Sequence, residues 1–337
     1  NGNIVAIGTQ SNDGNGSNAG HVRVYEFNGS SWNQLGQDID GLYADDGIGM
    51  SISLSNNGYT IASGSPWGIN SNGIVRVYNF NGSSWNQLGQ EIVGEAASDY
   101  FGYCVALNGE GNILAVGSPS NDGNGNSSGH VRIYSCDGLS WNQVGQDIDG
   151  EAIGDECGTS ISLNDNGNRV AIGAHRNIEN GLDAGHVRIY DFNGVSWSQL
   201  GQDIDGMQWD QSGKSVSLSH DGNLLAIGAP SGGGPGGAGN ARVYKWYNNS
   251  WVKIGQDLAS VGGNSGDVVS LSGNGTTLAV GSSIFPYGIF TGHVRVYEIN
   301  TPCSPGCTDS SSCNYNPEAS EDDGSCLFIS DSCDDSD

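Results

Sequence analysis

Carboxylates are the side chains most able to do chemistry in this sequence, where 37 aspartates and glutamates stand against 11 lysines and arginines. The net charge of −26 repels phosphate backbones and anionic lipid surfaces, and it attracts cations, above all calcium. Two patterns place oxygen-bearing side chains at alternate positions, as calcium loops do. One is a loop of the Asp-Gly-Asn-Gly type, with Asp13, Asn15, Asp122, Asn124 and Asn126. The other is an Asp-x-Asp pair, with Asp38, Asp40, Asp147 and Asp149.

Both patterns also have an interpretation without a metal. The first lacks the bidentate glutamate that closes an EF-type loop, so a flexible Asn-Gly turn is favoured there. In the second, Asp38 and Asp40 alternate on a strand and share a face, which suits a cation but suits a solvated acidic rim better. Calcium is the only cofactor that the sequence predicts.

Histidine, arginine and tryptophan recur at fixed positions of a repeat, whereas a catalytic residue is needed only once. The recurring histidines, of the His21 type, are therefore expected to be structural. The arginines two residues later are expected to be half-buried partners of carboxylates or carbonyls, such as those of run d, and the alternative is a ring that binds an anion. The recurring tryptophans, of the Trp32 type, are expected to cover the flanks of the repeats, and the alternative is a series of sugar sites. Trp67 and Trp209 break the repeat, which makes them the aromatic ligand candidates.

A tandem repeat positions these residues. The pentad His21-Val22-Arg23-Val24-Tyr25 occurs in six copies, one of them shortened, and this number is far beyond chance. Its arginines lie 53 to 56 residues apart, at Arg23, Arg76, Arg132, Arg188, Arg242 and Arg295.

Each full repeat contains four strand-like runs, which we call a to d. Run a is of the 51–54 type, run b of the 4–8 type, run c is the pentad, and run d begins at a tryptophan. Asn-Gly pairs such as Asn28-Gly29 join run c to run d and are typical of tight hairpins. Four antiparallel strands in about 54 residues is the size of a propeller blade. The sequence therefore predicts an all-β fold, a β-propeller of four-stranded antiparallel blades over residues 1–299.

The first and last of the six repeats are incomplete. The first lacks run a and the last lacks run d. A propeller removes such strand edges when one terminus supplies strands to the blade that the other terminus builds. We therefore expect a segment before Asn1, about 25 residues long by the spacing of the repeats, that carries one run d and one run a. A longer upstream piece would make a seventh blade.

Three runs of the third repeat, at 100–107, 114–119 and 129–134, resemble an FG-GAP repeat. This is the repeat of integrin α-subunit propellers and of many microbial surface proteins, and its Gly-Ala-Pro element stands at Gly228-Ala229-Pro230. The resemblance covers residues 1–299 and implies an extracellular or cell-surface propeller. The a–b turn, often a calcium loop in integrins, is here shortened to turns such as 108–111. The resemblance therefore implies neither that calcium site nor integrin-type ligand binding.

Residues 300–337 are predicted to be a separate cysteine-rich module or linker. The crowding of cysteines there indicates disulfides and an oxidising compartment. The tail cysteines are Cys303, Cys307, Cys313, Cys326 and Cys333. Within the repeats, Cys104 and Cys157 are expected at the same end of adjacent blades, where they could pair, and Cys136 at the other end. If the source is a eukaryote, Asn-x-Ser/Thr sites are glycosylation candidates at Asn15, Asn28, Asn81, Asn126, Asn248 and Asn274.

These features favour a non-catalytic extracellular protein with a structural or adhesive role. Its propeller loops would contact other extracellular proteins or further copies of the same chain. The alternatives are a carbohydrate-binding propeller and an accessory domain of a larger secreted enzyme. Nucleic acid is excluded as a partner by the net charge. Direct membrane insertion is excluded because no apolar stretch approaches the ~20 residues of a membrane helix.

Overall fold

Six small antiparallel sheets, which we call blades 1 to 6, follow one another around a ring in this computed structural model. The structure describes residues 2–232, 237–259, 264–284 and 291–299, together with 305–306 and 321–322. Blade 1 contains β1 (Ile4–Thr9), β2 (His21–Phe27), β3 (Trp32–Gln34) and β4 (Ile39–Asp40). Blade 2 contains β5 (Ser51–Leu54), β6 (Thr60–Ser65), β7 (Ile74–Phe80), β8 (Trp85–Gln87) and β9 (Ile92–Val93), with the short helix α1 (Gly68–Ser71) between β6 and β7.

The next blades repeat this order. Blade 3 contains β10 (Cys104–Leu107), β11 (Ile113–Ser118), β12 (His130–Cys136), β13 (Trp141–Gln143) and β14 (Ile148–Asp149). Blade 4 contains β15 (Ser160–Leu163), β16 (Arg169–Ala174), β17 (His186–Phe192), β18 (Trp197–Gln199) and β19 (Ile204–Asp205). Blade 5 contains β20 (Ser215–Leu218), β21 (Leu224–Ala229), β22 (Asn240–Tyr247) and β23 (Ser250–Ala259). Blade 6 contains β24 (Asn264–Leu271), β25 (Thr277–Ile284) and β26 (Thr291–Glu298). The predicted propeller of six visible repeats is thus confirmed.

Run d differs from its prediction, because in blades 1 to 4 it forms two short strands rather than one. In blade 2, β8 and β9 both pair with β7, one at each end of that strand. Gly89, with a φ of +74°, lies between the two pieces in a conformation that glycine adopts without strain. Among blades 1 to 5, the run is continuous only in blade 5, where β23 pairs with β22 through a register shift.

Apolar side chains of one blade pack against those of the next. Between blades 2 and 3, Val75 and Val77 pack with Leu114, Val116 and Trp141, all of them buried. Similar clusters join blades 1 and 2, blades 3 and 4, and blades 4 and 5. The burial of these side chains is the main stabilising contribution of each interface.

A glycine pair brings the backbones of adjacent blades together at every packed interface. Gly117 of β11 lies against Gly158, which enters the next blade, and a Cβ on Gly117 would overlap the carbonyl oxygen of Gly158. Gly158 has a φ of +89°, so glycine is required there for conformation as well as for space. The other pairs are Gly8 with Gly49, Gly64 with Gly102, Gly173 with Gly213, and Gly228 with Gly266.

A tryptophan and a glutamine form hydrogen bonds across the outer flank of each of the four interfaces between blades 1 and 5. The indole of Trp141 in blade 3 donates from Nε1 to the carbonyl oxygen of Leu88 in blade 2, at 2.9 Å. Gln90 of blade 2 donates to the Trp141 carbonyl and accepts from its backbone N–H, at 2.7 and 3.0 Å. Trp85, Trp197 and Trp251 repeat this contact, and all four are at most 4 % exposed. The predicted role of these tryptophans as flank cover holds for these four.

The cysteines of the propeller are free thiols in the structure, so the expected Cys104–Cys157 bridge is corrected. Cys104 lies in the inner strand of blade 3 and bonds to the backbone of Ile161, whereas Cys157 packs over Gly150. Burial raises the pKa of the Cys104 thiol to about 11 and that of Cys157 to about 12. Both thiols are therefore protonated and unreactive at neutral pH.

The chain divides into two compact units, Asn1–Tyr297 and Glu298–Asp337. In the second unit, β27 (Pro305–Gly306) pairs in parallel with β28 (Glu321–Asp322). The predicted tail cysteines, Cys303, Cys307, Cys313, Cys326 and Cys333, lie outside the described residues. In the described part of the chain, no helix has the length and apolarity to span a membrane.

Candidate binding site at the loop rim

The loops that join strands b and c, and those that enter each blade, meet at one end of the propeller, which we call the loop rim. In blade 1 the b–c loop bonds to the loop that enters blade 2, since Asp45 N–H donates to the Ser17 carbonyl and Gly47 N–H to that of Asn18. The same bonds recur at blade 3, from Gly154 to Asn126 and from Glu156 to Ser127. These ties fix the loop backbones and so hold the side chains of the rim in place.

Trp67 lies on this rim between two adjoining depressions, and we call the pair the Trp67 cleft. The first depression, of about 440 Å³, is lined by Gln10, Ser11, Asn18, Asp45, Gly47 and Trp67. The second, of about 390 Å³, is lined by Tyr43, Ala44, Asp45, Asp46, Trp67, Gly68 and Ser71. Trp67 is 42 % exposed and Tyr43 is 61 % exposed. The ring of Trp67 lies over Gly47, where a Cβ would come within 3.2 Å of it.

Buried polar atoms of this cleft lack partners among the described residues. Gln10 Oε1 and Asp46 Oδ1 have no hydrogen-bond donor, and Nη2 of the neighbouring Arg76 has no acceptor. Asp46 is only 2 % exposed, and its other oxygen binds Arg76 Nη1 at 2.7 Å. Unsatisfied buried polar atoms are costly, so a ligand with its own donors and acceptors would fit here.

The second aromatic candidate, Trp209, does not join this cleft. It lies in the loop that enters blade 5, is half-buried, and has a φ of +70°, which is unusual for a bulky residue. Its N–H donates to the carbonyl of Leu182 in the b–c loop of blade 4. Trp67 and Trp209 are therefore candidates on different blades.

The recurring arginines bind carboxylates of run d, as the sequence predicts. Arg132 contacts Asp147 at 2.7 Å and also Glu95, which belongs to the loop entering its blade, at 2.6 Å. Each of the first five arginines pairs with an acid fifteen residues later, namely Asp38, Glu91, Asp147, Asp203 and Asp257. These contacts raise the pKa of Arg132 and hold the guanidinium charged.

The Asp-x-Asp pairs lie beside the recurring histidines. His130, Asp147 and Asp149 place one ligand atom each within 4.8 Å of one another, and His21, Asp38 and Asp40 do the same. Burial lowers the pKa of His130 and raises that of Asp149. Burial also raises the pKa of Asp147, but hydrogen bonds from Arg132 and Gln143 outweigh it, so this pKa lies below its usual value.

A larger group in blade 4 brings Glu151, Glu179, His186 and Asp203 equally close. The guanidinium of Arg188 contacts both Glu151 and Asp203 there. A metal ion would therefore share its ligands with an arginine in this group.

The predicted loop candidates for calcium form turn hydrogen bonds instead of converging. Asp122 Oδ1 accepts from Ser127 N–H at 2.8 Å, and Asp13 Oδ1 accepts from Asn18 N–H at 2.9 Å. Asn124 and Asn15 donate to the carbonyls of Gly150 and Gly41. Asn126 is exposed. This geometry matches the Asn-Gly turn interpretation.

The six glycosylation candidates are all exposed and lie on turns or loops, at Asn15, Asn28, Asn81, Asn126, Asn248 and Asn274. Asn15 differs from the others because its amide nitrogen, the atom that a glycan would modify, already donates to Gly41. Glycosylation of these sites stays a prediction.

Residues 94–134 match the model of the FG-GAP repeat family. This segment spans the loop into blade 3 and strands a to c of that blade, including the Phe101-Gly102 pair that packs on Gly64. The third repeat of the propeller is thus similar to an FG-GAP repeat. The sequence motif thus corresponds to the glycine contact between blades, with the Phe-Gly glycine of one repeat against the strand-b glycine of the preceding one.

Solved structures show the same fold at low identity. Sqt1 from Chaetomium thermophilum matches with a TM-score of 0.51 and 19% identity, over 88% of this chain and 66% of that chain. A Bacteroides uniformis protein proposed to be a 6-phosphogluconolactonase matches with a TM-score of 0.46 and 10% identity, over 88% of this chain and 96% of that one. The second similarity is too weak to carry an argument. No curated protein matches this chain.

Sequence reasoning found Trp67 but missed Tyr43, Asp46 and Gln10. Trp67 could be selected because no tryptophan stands at that position in the other repeats. Tyr43 also breaks the repeat, since Ala96, Ala152 and Met207 stand near that place in later copies. Gln10 carried no signal, because only the fold brings its loop beside α1.

Proposed function

We propose that this FG-GAP propeller is a non-catalytic extracellular adhesion or recognition protein that binds a macromolecular partner through its loop rim. The Trp67 cleft is the observation that carries the proposal. Four of the other tryptophans, Trp85, Trp141, Trp197 and Trp251, are buried in blade interfaces, whereas Trp67 and Tyr43 present aromatic surface beside buried polar atoms. Exposed aromatic side chains next to such atoms are typical of binding hot spots.

The charged groups of the propeller support a binding role rather than a catalytic one. The arginines and the run-d carboxylates pair with each other in the same way in blade after blade. Groups engaged in repeated ion pairs maintain the fold and are not free to transfer protons. The net charge of −26 further favours neutral or cationic partners. FG-GAP repeats are typical of cell-surface proteins, which supports the extracellular location.

A carbohydrate is the second candidate ligand, and the unpaired atoms of the cleft favour it. Sugar rings stack on exposed aromatic faces, and sugar hydroxyl groups both donate and accept hydrogen bonds. Gln10 Oε1 and Asp46 Oδ1 are acceptors without donors, and Arg76 Nη2 is a donor without an acceptor. Gln10 and Asp46 line the cleft, so the hydroxyl groups of a polyol could donate to these two acceptors.

The test measures binding of the purified chain to an array of glycans and to a set of extracellular matrix and cell-surface proteins. We expect Trp67→Ala to weaken binding at least tenfold, as the loss of an aromatic anchor does. Val195→Ala is the control, because Val195 is exposed on a c–d turn away from the rim. If the double variant Tyr43→Ala, Trp67→Ala still binds as tightly as the unmodified chain, the cleft is not the binding site. Whether the ligands found are glycans or proteins decides between the two candidate ligand classes.

A further inference from the structure

Blade 4 brings four metal-ligating side chains together at the loop rim, whereas the other groups among the described residues contain three. Glu151, Glu179, His186 and Asp203 place one ligand atom each within 4.8 Å of one another. Glu151 belongs to the loop that enters the blade, and Glu179 belongs to its b–c loop. His186 begins β17, and Asp203 lies between β18 and β19. We call these four side chains the blade 4 group.

Glu179 is the residue that distinguishes blade 4 from blade 3. The b–c loops of the two blades are equal in length and begin with the same turn. Gly123 N–H donates to Asn121 Oδ1 at 2.9 Å, and Glu179 N–H donates to Asn177 Oδ1 at 3.0 Å. Glu179 therefore stands where blade 3 has Gly123. A Cβ built on Gly123 would lie 3.8 Å from Asp149 Oδ1, so a side chain at this loop position faces the acids of run d.

His186 supplies an unpaired nitrogen to the group. Its side chain is only 3 % exposed, and its Nδ1 has no hydrogen-bond partner among the described residues. This nitrogen lies 3.9 Å from Asp203 Oδ2, which is too far for a hydrogen bond but suits two ligands of one metal ion. A buried polar atom without a partner is costly, and the lone pair of a neutral imidazole is a common metal ligand. The nitrogen therefore points to a ligand that accepts this lone pair.

The carboxylates of the group exceed the positive charge beside them. Arg188 contacts Asp203 through Nε at 3.1 Å and Glu151 through Nη2. Glu179 has no basic partner in the part of the chain that the structure describes. Three carboxylates beside one guanidinium leave two negative charges that are not neutralised. A divalent cation would balance them, and each carboxylate has lone pairs left after its contact with the arginine.

Glu151 is also less restrained than its counterpart in blade 3. Glu95 accepts a hydrogen bond from Asn121 Nδ2 at 2.8 Å, in addition to its contact with an arginine. In blade 4 the equivalent Asn177 donates to Asp155 instead, at 3.2 Å. The exposed side chain of Glu151 can therefore move toward an ion without breaking a bond to the b–c loop.

We propose that the blade 4 group binds a zinc ion, with three carboxylates and His186 Nδ1 as its ligands. Zinc has four ligands in structural sites and accepts imidazole nitrogen together with carboxylate oxygen. Calcium takes six to eight oxygen ligands, so the buried nitrogen selects against it. Ligand atoms of one zinc ion lie within about 4 Å of one another, because each is about 2.0–2.2 Å from the metal. Rotation of the two exposed glutamates closes the remaining distance.

The zinc ion ties the two rim loops of blade 4 to its strands. All four positions of a tetrahedral ion are filled by protein side chains, which is typical of a structural zinc rather than a catalytic one. This role does not depend on the ligand of the Trp67 cleft, since the group lies in a different blade from that cleft.

The test measures zinc binding to the full chain by isothermal titration calorimetry. A chelator first removes bound metal, and iodoacetamide blocks free thiols, which would otherwise compete for zinc. We expect a high-affinity site that binds zinc at least tenfold more tightly than calcium. The melting temperature should rise with zinc concentration, because the assembled group exists only in the folded chain.

Variants test the ligands one at a time. Glu179→Gln should weaken zinc binding at least tenfold and leave the melting temperature without zinc unchanged, since this side chain is exposed. Asp183→Asn is the matched control, because it removes the same charge from the same loop outside the group, and its affinity for zinc should be unchanged. His186→Asn should also weaken binding at least tenfold. It introduces the residue that blade 5 has at this position, Asn240, which the fold accommodates.

The proposal fails if no zinc binds once the thiols are blocked, or if calcium binds as tightly as zinc. It also fails if Glu179→Gln retains the affinity of the unmodified chain. Equal weakening by Glu179→Gln and Asp183→Asn would mean that zinc responds only to the net charge of the rim, and the blade 4 group would then not be a site.

Discussion

At the residue scale, ion pairs of the same composition differ in environment from blade to blade. Arg76 and Asp46 lie fully buried, each side chain 1 % exposed, and Glu91 completes the group. The equivalent Arg23 is 43 % exposed with only Asp38 as its partner. A buried charge that loses its partner is destabilising, whereas an exposed pair contributes little because water and salt screen it.

Arg76→Met should therefore lower the free energy of unfolding by about 3–5 kcal/mol, because Asp46 would remain buried without its counter-charge. Arg23→Met is the matched variant and should leave the stability nearly unchanged. Urea denaturation followed by circular dichroism measures both. Equal losses in the two variants would show that burial does not control the contribution of these pairs.

His175 predicts how stability depends on pH. Burial lowers its pKa to about 3, with Lys214 and Arg176 adding to the effect, although the Glu156 carboxylate lies 3.7 Å from Nε2. The unfolded chain takes up this proton near pH 6.5 and the folded chain does not, so stability is lost as the pH falls from about 6.5 toward 3. Acidification from pH 7 to 5 should cost about 2 kcal/mol through this group.

His175→Gln should remove that part of the loss between pH 7 and 5, as measured by urea titrations at each pH. The paired aspartates do not interfere in this window, since the pKa values of Asp38 and Asp147 lie below their usual range. His130, whose pKa burial also lowers, should keep a residual slope in the variant. An unchanged slope would mean that His175 is protonated in the folded protein.

At the scale of strands and blades, glycine can be required for two reasons, a positive φ angle and a lack of space for a Cβ atom. Gly158 and Gly138 both have positive φ, at +89° and +93°. A Cβ on Gly158 would come within 2.7 Å of the His130 carbonyl oxygen, whereas one on Gly138 would meet nothing within 4 Å. Both positions therefore favour glycine because of their positive φ, but of the two only Gly158 also lacks the space for a side chain.

Gly138→Ala should cost about 1 kcal/mol for the strained φ alone. Gly158→Ala should cost a further 1–3 kcal/mol, because blades 3 and 4 must move apart to admit the methyl group. Thermal unfolding by calorimetry compares the two. Similar melting temperatures would show that the glycine contact is not required for blade packing.

The strands and blades were largely predictable from the sequence. The 53–56-residue period and the Asn-Gly hairpins were sufficient for the blades, because a repeated pattern averages out local ambiguity. The pairing of the arginines with run d was expected because they recur at one repeat position in a strongly acidic chain. The division of run d at Gly89 could not be predicted, because in a sequence so rich in glycine nothing distinguishes the glycines that adopt a positive φ. The Cys104–Cys157 bridge was wrong because position along a strand does not determine which neighbour a side chain touches.

The residues that face Trp67 across its cleft also could not be predicted from the sequence. Trp67 could be selected because it breaks the repeat, but Gln10 and Tyr43 come from two other loops, and their meeting depends on how adjacent blades pack. A similar reason hid the difference between Trp32 and its four equivalents. The sequence around them is similar, and the absence of a packed neighbour exposes the first.

At the scale of the whole molecule, the excess of negative charge sets the response to salt. The 37 aspartates and glutamates outnumber the 11 lysines and arginines, and the mutual repulsion of carboxylates destabilises the folded chain at low ionic strength. Shortening the Debye length from about 30 Å at 0.01 M salt to about 8 Å at 0.15 M should reduce this repulsion. The melting temperature should therefore rise over that range, although the ion pairs themselves are weakened.

Calcium should raise the melting temperature beyond this screening if the clusters around Asp40 and Asp149 bind it. The measurement compares 1 mM calcium chloride with excess chelator at a fixed ionic strength of about 0.15 M, where screening is constant. Asp40→Asn with Asp149→Asn is the variant that should abolish the difference. If chelator leaves the midpoint of the unmodified chain unmoved, these clusters are a solvated acidic rim.

The glycine contact described above has a consequence for how such a chain can change in length. Each blade meets its successor through the same pair of positions, so a duplicated or excised unit joins surfaces that already fit each other. The gain or loss of a whole repeat of about 54 residues therefore preserves the glycine contacts between the remaining blades. An insertion of one residue within β11, by contrast, would move Gly117 out of its contact with Gly158.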